Sequence, residues 1–161
     1  PSEEYKKHSV FSFGANFTEV WVDKDTGMYR IKRMVNVGSA GKILNPKTAY
    51  GQIIGGLTMG AGMVIAERTQ VEPNYGNFIT RTLADYHVPV NLDLANIDVV
   101  FLPEEDKIAN EMGVKGIGEL GITSVAASIA NAIFNATGKR MRDLPITPEK
   151  LIEASLEPGV A

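Results

Sequence analysis

Residues 15–37, ANFTEVWVDKDTGMYRIKRMVNV, contain two runs in which side chains alternate with period two. In the first run, the two sides of a strand are Phe17, Glu19 and Trp21 against Thr18, Val20 and Val22. In the second run, they are Tyr29, Ile31, Arg33 and Val35 against Met28, Arg30, Lys32 and Met34. DKDTG lies between the runs, and its Gly27 suits a turn with positive φ. The pattern predicts a β-hairpin in a sheet that is covered on one face.

A long helix is predicted after the hairpin, from Asn45 to about Glu67. Asn45 followed by Pro46 is typical of an N-cap and a first helical residue. Residues 49–66 carry no charge over 18 positions, a length that could span a membrane. Five glycines and Gln52 make this stretch weakly hydrophobic. It is therefore interpreted as a buried helix packed close to other backbone, and no membrane span is expected.

Beyond this helix, the sequence predicts one more strand and two more helices. NIDVVFL, residues 96–102, is typical of a short strand, whereas LADYHVPVNLD, residues 83–93, should be mostly extended because residues before proline avoid the helical region. A second helix is expected from about Thr123, with Gly138 as its stop. A third, short helix should begin at Pro148 and be capped by the preceding threonine.

These elements predict an α+β fold for residues 1–161 as a single domain, a two-layer sandwich with helices packed on one face of a mixed sheet. The net charge is −3, and no block of like charge indicates a nucleic-acid surface. Without cysteine, the chain provides no disulfide, iron–sulfur cluster or thiolate metal site. His8 and His87 are far apart, so no metal ligands are predicted. PSEEYKK at the start lacks the pattern of a signal peptide, and a soluble bacterial protein of cytoplasmic or periplasmic location is expected.

The glycine stretch GVKGIGELGITS, residues 113–124, contains a G-x-G-x-x-G at Gly116, Gly118 and Gly121. A dinucleotide-binding turn needs a strand before the first glycine and an acidic residue about 20 positions later. Here NEMGVK comes before the glycines and the basic string KRMRD follows them. Glu119 would also repel a pyrophosphate. A nucleotide-binding domain is therefore a less favoured alternative, beside a cofactor-free interaction or assembly module.

Another interpretation accounts for both the glycines and the glutamate. Glycines let the backbone approach a ligand closely. Glu119 can then point at the reactive part of that ligand, and neighbouring apolar residues such as Ile117 and Leu120 can remove its water, which makes a carboxylate a better general base. At the start of the first long helix, free backbone N–H groups near Lys42 and Lys47 would attract an anion. On geometry alone, simple capping with solvated lysines is favoured there.

Four strings resemble one family, in the family's order: FSFGANFTEVWVD, ILNPKTAYGQIIGG, ADYHVPVNLDL and GVKGIGELGITSVAASIANAIFNATGKRMRDLPITPEKL. They look like the C-terminal part of the molybdopterin-binding large subunit of the xanthine dehydrogenase/aldehyde oxidase family, the molybdenum hydroxylases. The bacterial aldehyde oxidoreductase large subunits are the most similar branch. The resemblance extends over about residues 11–151. This sequence departs from the family pattern at Ser39, where the family has an acid, so the local geometry at Ser39 should differ from that of the family.

The resemblance implies specific roles. Glu119 matches the family's catalytic glutamate, a general base in the oxidation of an aldehyde or N-heterocycle with water as the oxygen source. Gln52 matches a glutamine that touches the cofactor, molybdenum–molybdopterin, whose dinucleotide form stays open. The loop against the molybdopterin corresponds to Lys115, Gly116, Ile117 and Gly118. The residues matching those that hold its phosphate or nucleotide part are Lys42, Ile43, Leu44, Asn45, Pro46, Lys47 and Thr48.

The resemblance also implies partners. The family's large subunit is several times longer than this chain, and its FAD and [2Fe-2S] groups lie on other domains or subunits. The rest of the large subunit and the iron–sulfur and flavin subunits are therefore the expected partners, with a small aldehyde or heterocycle as substrate. Alone, the chain should be inactive and should expose the surface that packs on the missing part.

Overall fold

The computed structural model describes residues 3–156. A single 3₁₀ turn, Glu3–Lys6, precedes three strands, β1 (Phe13–Val22), β2 (Tyr29–Ser39) and β3 (Ile97–Phe101). They form one sheet in the order β1-β2-β3, in which β1 and β2 are antiparallel and β2 and β3 are parallel. The predicted hairpin and mixed sheet are confirmed. Residues 1–2 and 157–161, which the single-domain prediction includes, lie outside the described residues.

The hairpin departs from strict alternation at one point. Glu19 pairs with Arg33 but Val20 pairs with Ile31, so Lys32 is an extra residue on β2. This bulge lets both Ile31 and Met34 face the core, although the alternation had placed them on opposite sides. That part of the sequence prediction is wrong, because one inserted residue reverses the faces of everything beyond it.

Within residues 3–156, three helices complete the fold: α1 (Pro46–Ile65), α2 (Val125–Thr137) and α3 (Pro148–Leu156). The helix α2 ends at Gly138, whose φ of 75° is left-handed, as predicted. Side chains of the sheet, of the helices and of the loop before α3 share one core, comprising Ile31, Met34, Ile53, Leu57, Ala61, Val64, Val125, Ile129, Ile133, Ile146 and Leu151. The predicted α+β class, with helices on one face of the sheet, is confirmed. No helix within residues 3–156 is long and apolar enough to cross a membrane.

A polar seam joins β1 to the segment that leads into α2. The Asn16 side-chain amide donates to the Ser124 hydroxyl at 2.6 Å and to the Gly121 carbonyl oxygen at 3.3 Å. Asn36, on the neighbouring strand, donates to the Asn16 side-chain oxygen at 2.7 Å. The seam therefore fixes the position of the last glycine of the glycine stretch relative to the sheet.

The segment between α1 and β3 is less extended than predicted. Thr82 begins a turn over residues 83–85, in which the Tyr86 N–H donates to the Thr82 carbonyl at 2.8 Å. A second turn follows Val90, whose N–H donates to the Asp93 carboxylate at 2.8 Å. The two turns lie on either side of residues 87–90, so the extended preference that Pro89 imposes is limited to its immediate neighbour, Val88.

Candidate functional site

A cavity of about 550 Å³ lies where the end of β2, the start of α1 and the glycine stretch meet. It is lined by Ala40, Lys42, Ile43, Leu44, Asn45, Thr48, Ala49, Gln52, Val114, Lys115, Ile117 and Gly118. All the predicted cofactor-binding residues are among these except Pro46, Lys47 and Gly116. Pro46 and Lys47 are exposed on the first turn of α1. Gly116 lines a smaller neighbouring cavity of about 330 Å³ and accepts a hydrogen bond from the Ser12 hydroxyl.

Backbone pairing brings the two distant parts of the cavity wall together. Gly41 and Val114 form an antiparallel bridge. On one side of it, the Lys42 N–H donates to the Gly113 carbonyl at 2.8 Å, and on the other, the Lys115 N–H donates to the Ala40 carbonyl at 2.9 Å. The first residues of the glycine stretch, 113–115, therefore lie antiparallel to residues 40–42, just after β2.

The start of α1 is capped, and its N–H groups are not available to an anion. The Asn45 side-chain oxygen accepts from the N–H groups of Lys47 and Thr48 at 3.1 and 3.3 Å. The Asn45 carbonyl accepts from the Ala49 N–H at 3.0 Å, and Pro46 has no N–H. The expectation of free donors at this end is wrong, because the Asn45 cap uses the N–H groups of Lys47 and Thr48. Attraction for an anion here is left to the helix dipole and to lysine side chains.

Gln52 connects α1 to the glycine stretch. Its side-chain amide donates to the Gly118 carbonyl oxygen at 2.7 Å, and the residue is exposed to the cavity. The hydrogen bond orients the peptide that precedes Glu119. A glutamine suits this position, since its oxygen remains available as an acceptor while its nitrogen holds the loop.

The three glycines of the motif have different surroundings. A Cβ built on Gly121 would lie 2.8 Å from the Ile53 carbonyl oxygen and 3.1 Å from its Cα, so here α1 and the loop touch backbone to backbone. A Cβ on Gly116 or on Gly118 would meet no described atom within 4 Å. Neither has positive φ. Packing thus requires glycine at position 121. At positions 116 and 118, no contact within residues 3–156 requires it.

Glu119 lies beside the cavity without lining it. Its carbonyl oxygen accepts from the N–H groups of Ile122 and Thr123 at 3.2 and 3.4 Å, in turns that lead to α2 two residues later than expected. The side chain is exposed. The expected desolvation by Ile117 and Leu120 is therefore not provided by the described part of the chain.

The sequence did not predict a partly buried ion pair that lies beside the cavity. The Lys115 ammonium lies 2.6 Å from a Glu104 carboxylate oxygen and 3.0 Å from the Ser39 hydroxyl oxygen. Ser39 donates to the other Glu104 oxygen. The hydrogen bond from Lys115, and after it that from Ser39, hold the pKa of the Glu104 carboxyl below its ordinary value. A carboxylate is thus present next to Ser39, where the family pattern led us to expect an acid.

The geometry does not match a dinucleotide-binding turn. The segment directly before Gly116 contains an isolated bridge at Val114 and no strand, and α2 begins four residues after Gly121. The fingerprint needs a buried parallel strand that runs directly into a glycine turn at a helix N-terminus. Here Gly118 and Gly116 line two neighbouring cavities instead, and Gly121 packs against the backbone of α1.

Residues 1–95 match the family model of the molybdopterin cofactor-binding domain. The chain belongs to this family. The matched part of this molybdopterin-binding domain contains β1, β2, α1 and the loop that caps α1, whereas the glycine stretch follows it.

Similar proteins extend the likeness over most of the domain. The aldehyde oxidoreductase molybdenum-binding subunit PaoC of Escherichia coli K12 is 46% identical over 148 residues, which are 92% of this chain and 20% of that protein. Subunit gamma of the 6-hydroxypseudooxynicotine dehydrogenase complex of Paenarthrobacter nicotinovorans is 35% identical, over 88% of this chain and 18% of that protein. The resemblance to molybdenum hydroxylases is thereby confirmed, and the chain spans about a fifth of the length of these curated relatives.

A solved structure shares the fold. The aldehyde oxidoreductase from Desulfovibrio desulfuricans superimposes with a TM-score of 0.78 at 34% identity, over 89% of this chain and 15% of that one. The likeness therefore covers most of the domain.

Proposed function

We propose that this domain is the C-terminal cofactor-binding part of the large subunit of a molybdenum hydroxylase, with residues 1–161 as one domain. The enzyme oxidises an aldehyde or an N-heterocycle and takes its oxygen from water. The observation that carries the proposal is the open space at Gly116 and Gly118. Neither φ nor any described neighbour requires glycine there, and both residues border cavities beside Glu119. A ligand that lies against the backbone accounts for both.

The residues present fit a molybdopterin. Ile43, Leu44 and Ile117 provide apolar walls, and Gln52 and the loop backbone provide polar groups, a combination typical of small-molecule sites. Lys42, Asn45, Pro46, Lys47 and Thr48 form the end of the site proposed for the phosphate or nucleotide part. The bound group supplies the two-electron redox chemistry, and the protein supplies binding and orientation.

Glu119 is the proposed general base. It directly follows Gly118, whose carbonyl is held by Gln52, so its backbone position is fixed relative to the cavity. Its carboxylate would accept a proton from the water-derived oxygen as substrate is oxidised. Since the side chain is exposed in this chain, we propose that the rest of the subunit covers it and excludes bulk water.

Exposed apolar surface supports a role within a larger assembly. On the sheet face away from the helices, the side chain of Phe17 is 60% exposed and that of Val100 is 47% exposed. In the segment between α1 and β3, Leu83 and Leu92 are 78% and 84% exposed. Surfaces of this kind mark contacts with other protein. The proposed partners are the remaining part of the large subunit and the iron–sulfur and flavin subunits that carry [2Fe-2S] and FAD.

The deciding experiment compares Glu119→Gln with Glu111→Gln in the full-length protein. Glu111 is exposed in the same region, so its variant controls for loss of one surface carboxylate. We measure molybdenum and pterin content and turnover of an aldehyde and of an N-heterocycle. Glu119→Gln should lower turnover by about 10²- to 10⁴-fold at unchanged cofactor content, whereas Glu111→Gln should match the unmodified protein.

Two results would contradict the proposal in different ways. Turnover that survives Glu119→Gln with cofactor still bound would remove the general-base role. A full-length protein that contains neither molybdenum nor pterin would instead favour a cofactor-free interaction module with the same fold.

A further inference from the structure

We propose that Lys115 and Glu104, together with Ser39, form a positioning pair that holds the glycine stretch against the cavity, and that the Lys115 ammonium does not bind the cofactor. The inference rests on the function proposed above, and it divides the residues of that site by role. Lys115 lines the cavity, and its ammonium is hydrogen-bonded to Glu104 and Ser39 of the same chain.

The burial of Lys115 is the first observation. Its side chain is 5% exposed, against 52% for Lys42 at the same cavity. Two of its three N–H donors are used by Glu104 and Ser39 at 2.6 and 3.0 Å. The Asp106 carboxylate lies 3.9 Å from the ammonium, and the Phe13 ring centroid lies 5.4 Å from it. The ammonium is thus enclosed by the protein and directed toward its own partners.

The charge balance is the second observation. One ammonium faces two carboxylates, those of Glu104 and Asp106. The cluster is therefore formally negative and adds no attraction for an anionic group. Lys42, whose ammonium lies 3.3 Å from the exposed carboxylate of Glu105, and Lys47 are the cations better placed to meet a phosphate.

The position of the pair in the fold is the third observation. Ser39 ends β2, Glu104 lies in the loop after β3, and Lys115 directly precedes Gly116. The Asp106 N–H also donates to the Gly113 carbonyl at 3.0 Å, so backbone bonds tie the same segments. These backbone bonds would remain without the pair, but the Lys115 side chain would no longer be anchored, so residues 116–119, which include the proposed base, would be held less firmly.

A double-mutant cycle separates this role from direct cofactor binding. In the full-length protein, we compare Glu104→Gln, Lys115→Met and the double variant, with Glu111→Gln as the control. The measurements are amide hydrogen exchange over residues 113–121, molybdenum and pterin content, and kcat and KM per bound molybdenum.

A positioning pair predicts the same defect in all three variants. Exchange over the glycine stretch should be about tenfold faster, and kcat per molybdenum should fall by about 10- to 100-fold with KM within about twofold, because a small displacement of a catalytic group is costly. The double variant should be no worse than the worse single variant, since both remove one interaction. General destabilisation would lower the loaded fraction but would not lower kcat per molybdenum.

Direct binding of the cofactor by Lys115 predicts the opposite pattern, which would overturn the inference. Lys115→Met would then lose cofactor, Glu104→Gln would retain it or bind it more tightly, and exchange over residues 113–121 would be unchanged in both. If Lys115→Met does not fold, the nearly isosteric Glu104→Gln decides by itself. A protein without molybdenum would refute the proposed function, but the exchange data would still test the pair.

Discussion

Replacing Gly121 by alanine should destabilise the domain, whereas the same replacement at Gly118 should not. The new Cβ at position 121 would lie 2.8 Å from the Ile53 carbonyl oxygen, 3.1 Å from Ile53 Cα and 3.4 Å from Ile53 C. All three are backbone atoms of α1, so the helix or the loop must shift by a few tenths of an ångström. Overpacking of this kind costs about 1–3 kcal/mol.

Urea unfolding followed by far-ultraviolet circular dichroism measures the effect on the 161-residue chain. At a slope of about 2 kcal/mol per molar urea, Gly121→Ala should lower the midpoint by about 0.5–1.5 M. Gly118→Ala and Gly116→Ala, which meet no described atom within 4 Å, should leave stability unchanged or raise it by about 0.4–1 kcal/mol. In the full-length protein, these two variants should instead lose cofactor. Equal destabilisation at all three positions would refute the distinction between the packing glycine and the two open ones.

Two further predictions concern the cap of α1 and the response to acid. Asn45→Ala removes the acceptor for the Lys47 and Thr48 N–H groups. It should lower the free energy of unfolding by about 1 kcal/mol, or Tm by about 2–4 °C, while Asn45→Ser should retain most of the stability of the unmodified protein. An unchanged Tm in Asn45→Ala would argue against the cap. Because the pKa of Glu104 is lowered from 4.5, its ionised form stabilises the fold fully above that pH and loses this contribution as pH falls through the lowered value. The difference in urea midpoint between the unmodified protein and Glu104→Gln should therefore be constant near neutral pH and shrink below about pH 4.5. A difference in urea midpoint that grows in acid would contradict a stabilising role for ionised Glu104.

Local patterns in the sequence predicted local structure well. Asn45 and Pro46 identified the start of α1, and Gly138 the end of α2, because capping depends on residues a few positions apart. The bulge at Lys32 left no such signal, since it depends on how β1 pairs with its neighbour. The features of the fold that depend on residues close together in the sequence were therefore the ones that could be predicted.

The site was predicted as a set of residues and not as a geometry. The resemblance to a family singled out residues most of which line one cavity in the structure. It did not reveal that Lys115 is paired with Glu104 or that Asn16 holds Gly121, because those contacts depend on the path of the whole chain. Nor could it show that Glu119 is exposed in this chain, since burial depends on what packs above it.

The bridge between Gly41 and Val114 has a consequence for biosynthesis. A nascent chain that carries β1, β2 and α1 already has one wall of the cavity, but Val114 on the opposite wall follows Gly41 by 73 residues. Closing so long a loop is slow compared with forming a hairpin or a helix. The cavity should consequently be among the last features to form, and a polypeptide that stops before the glycine stretch would fold its hairpin yet have no pocket.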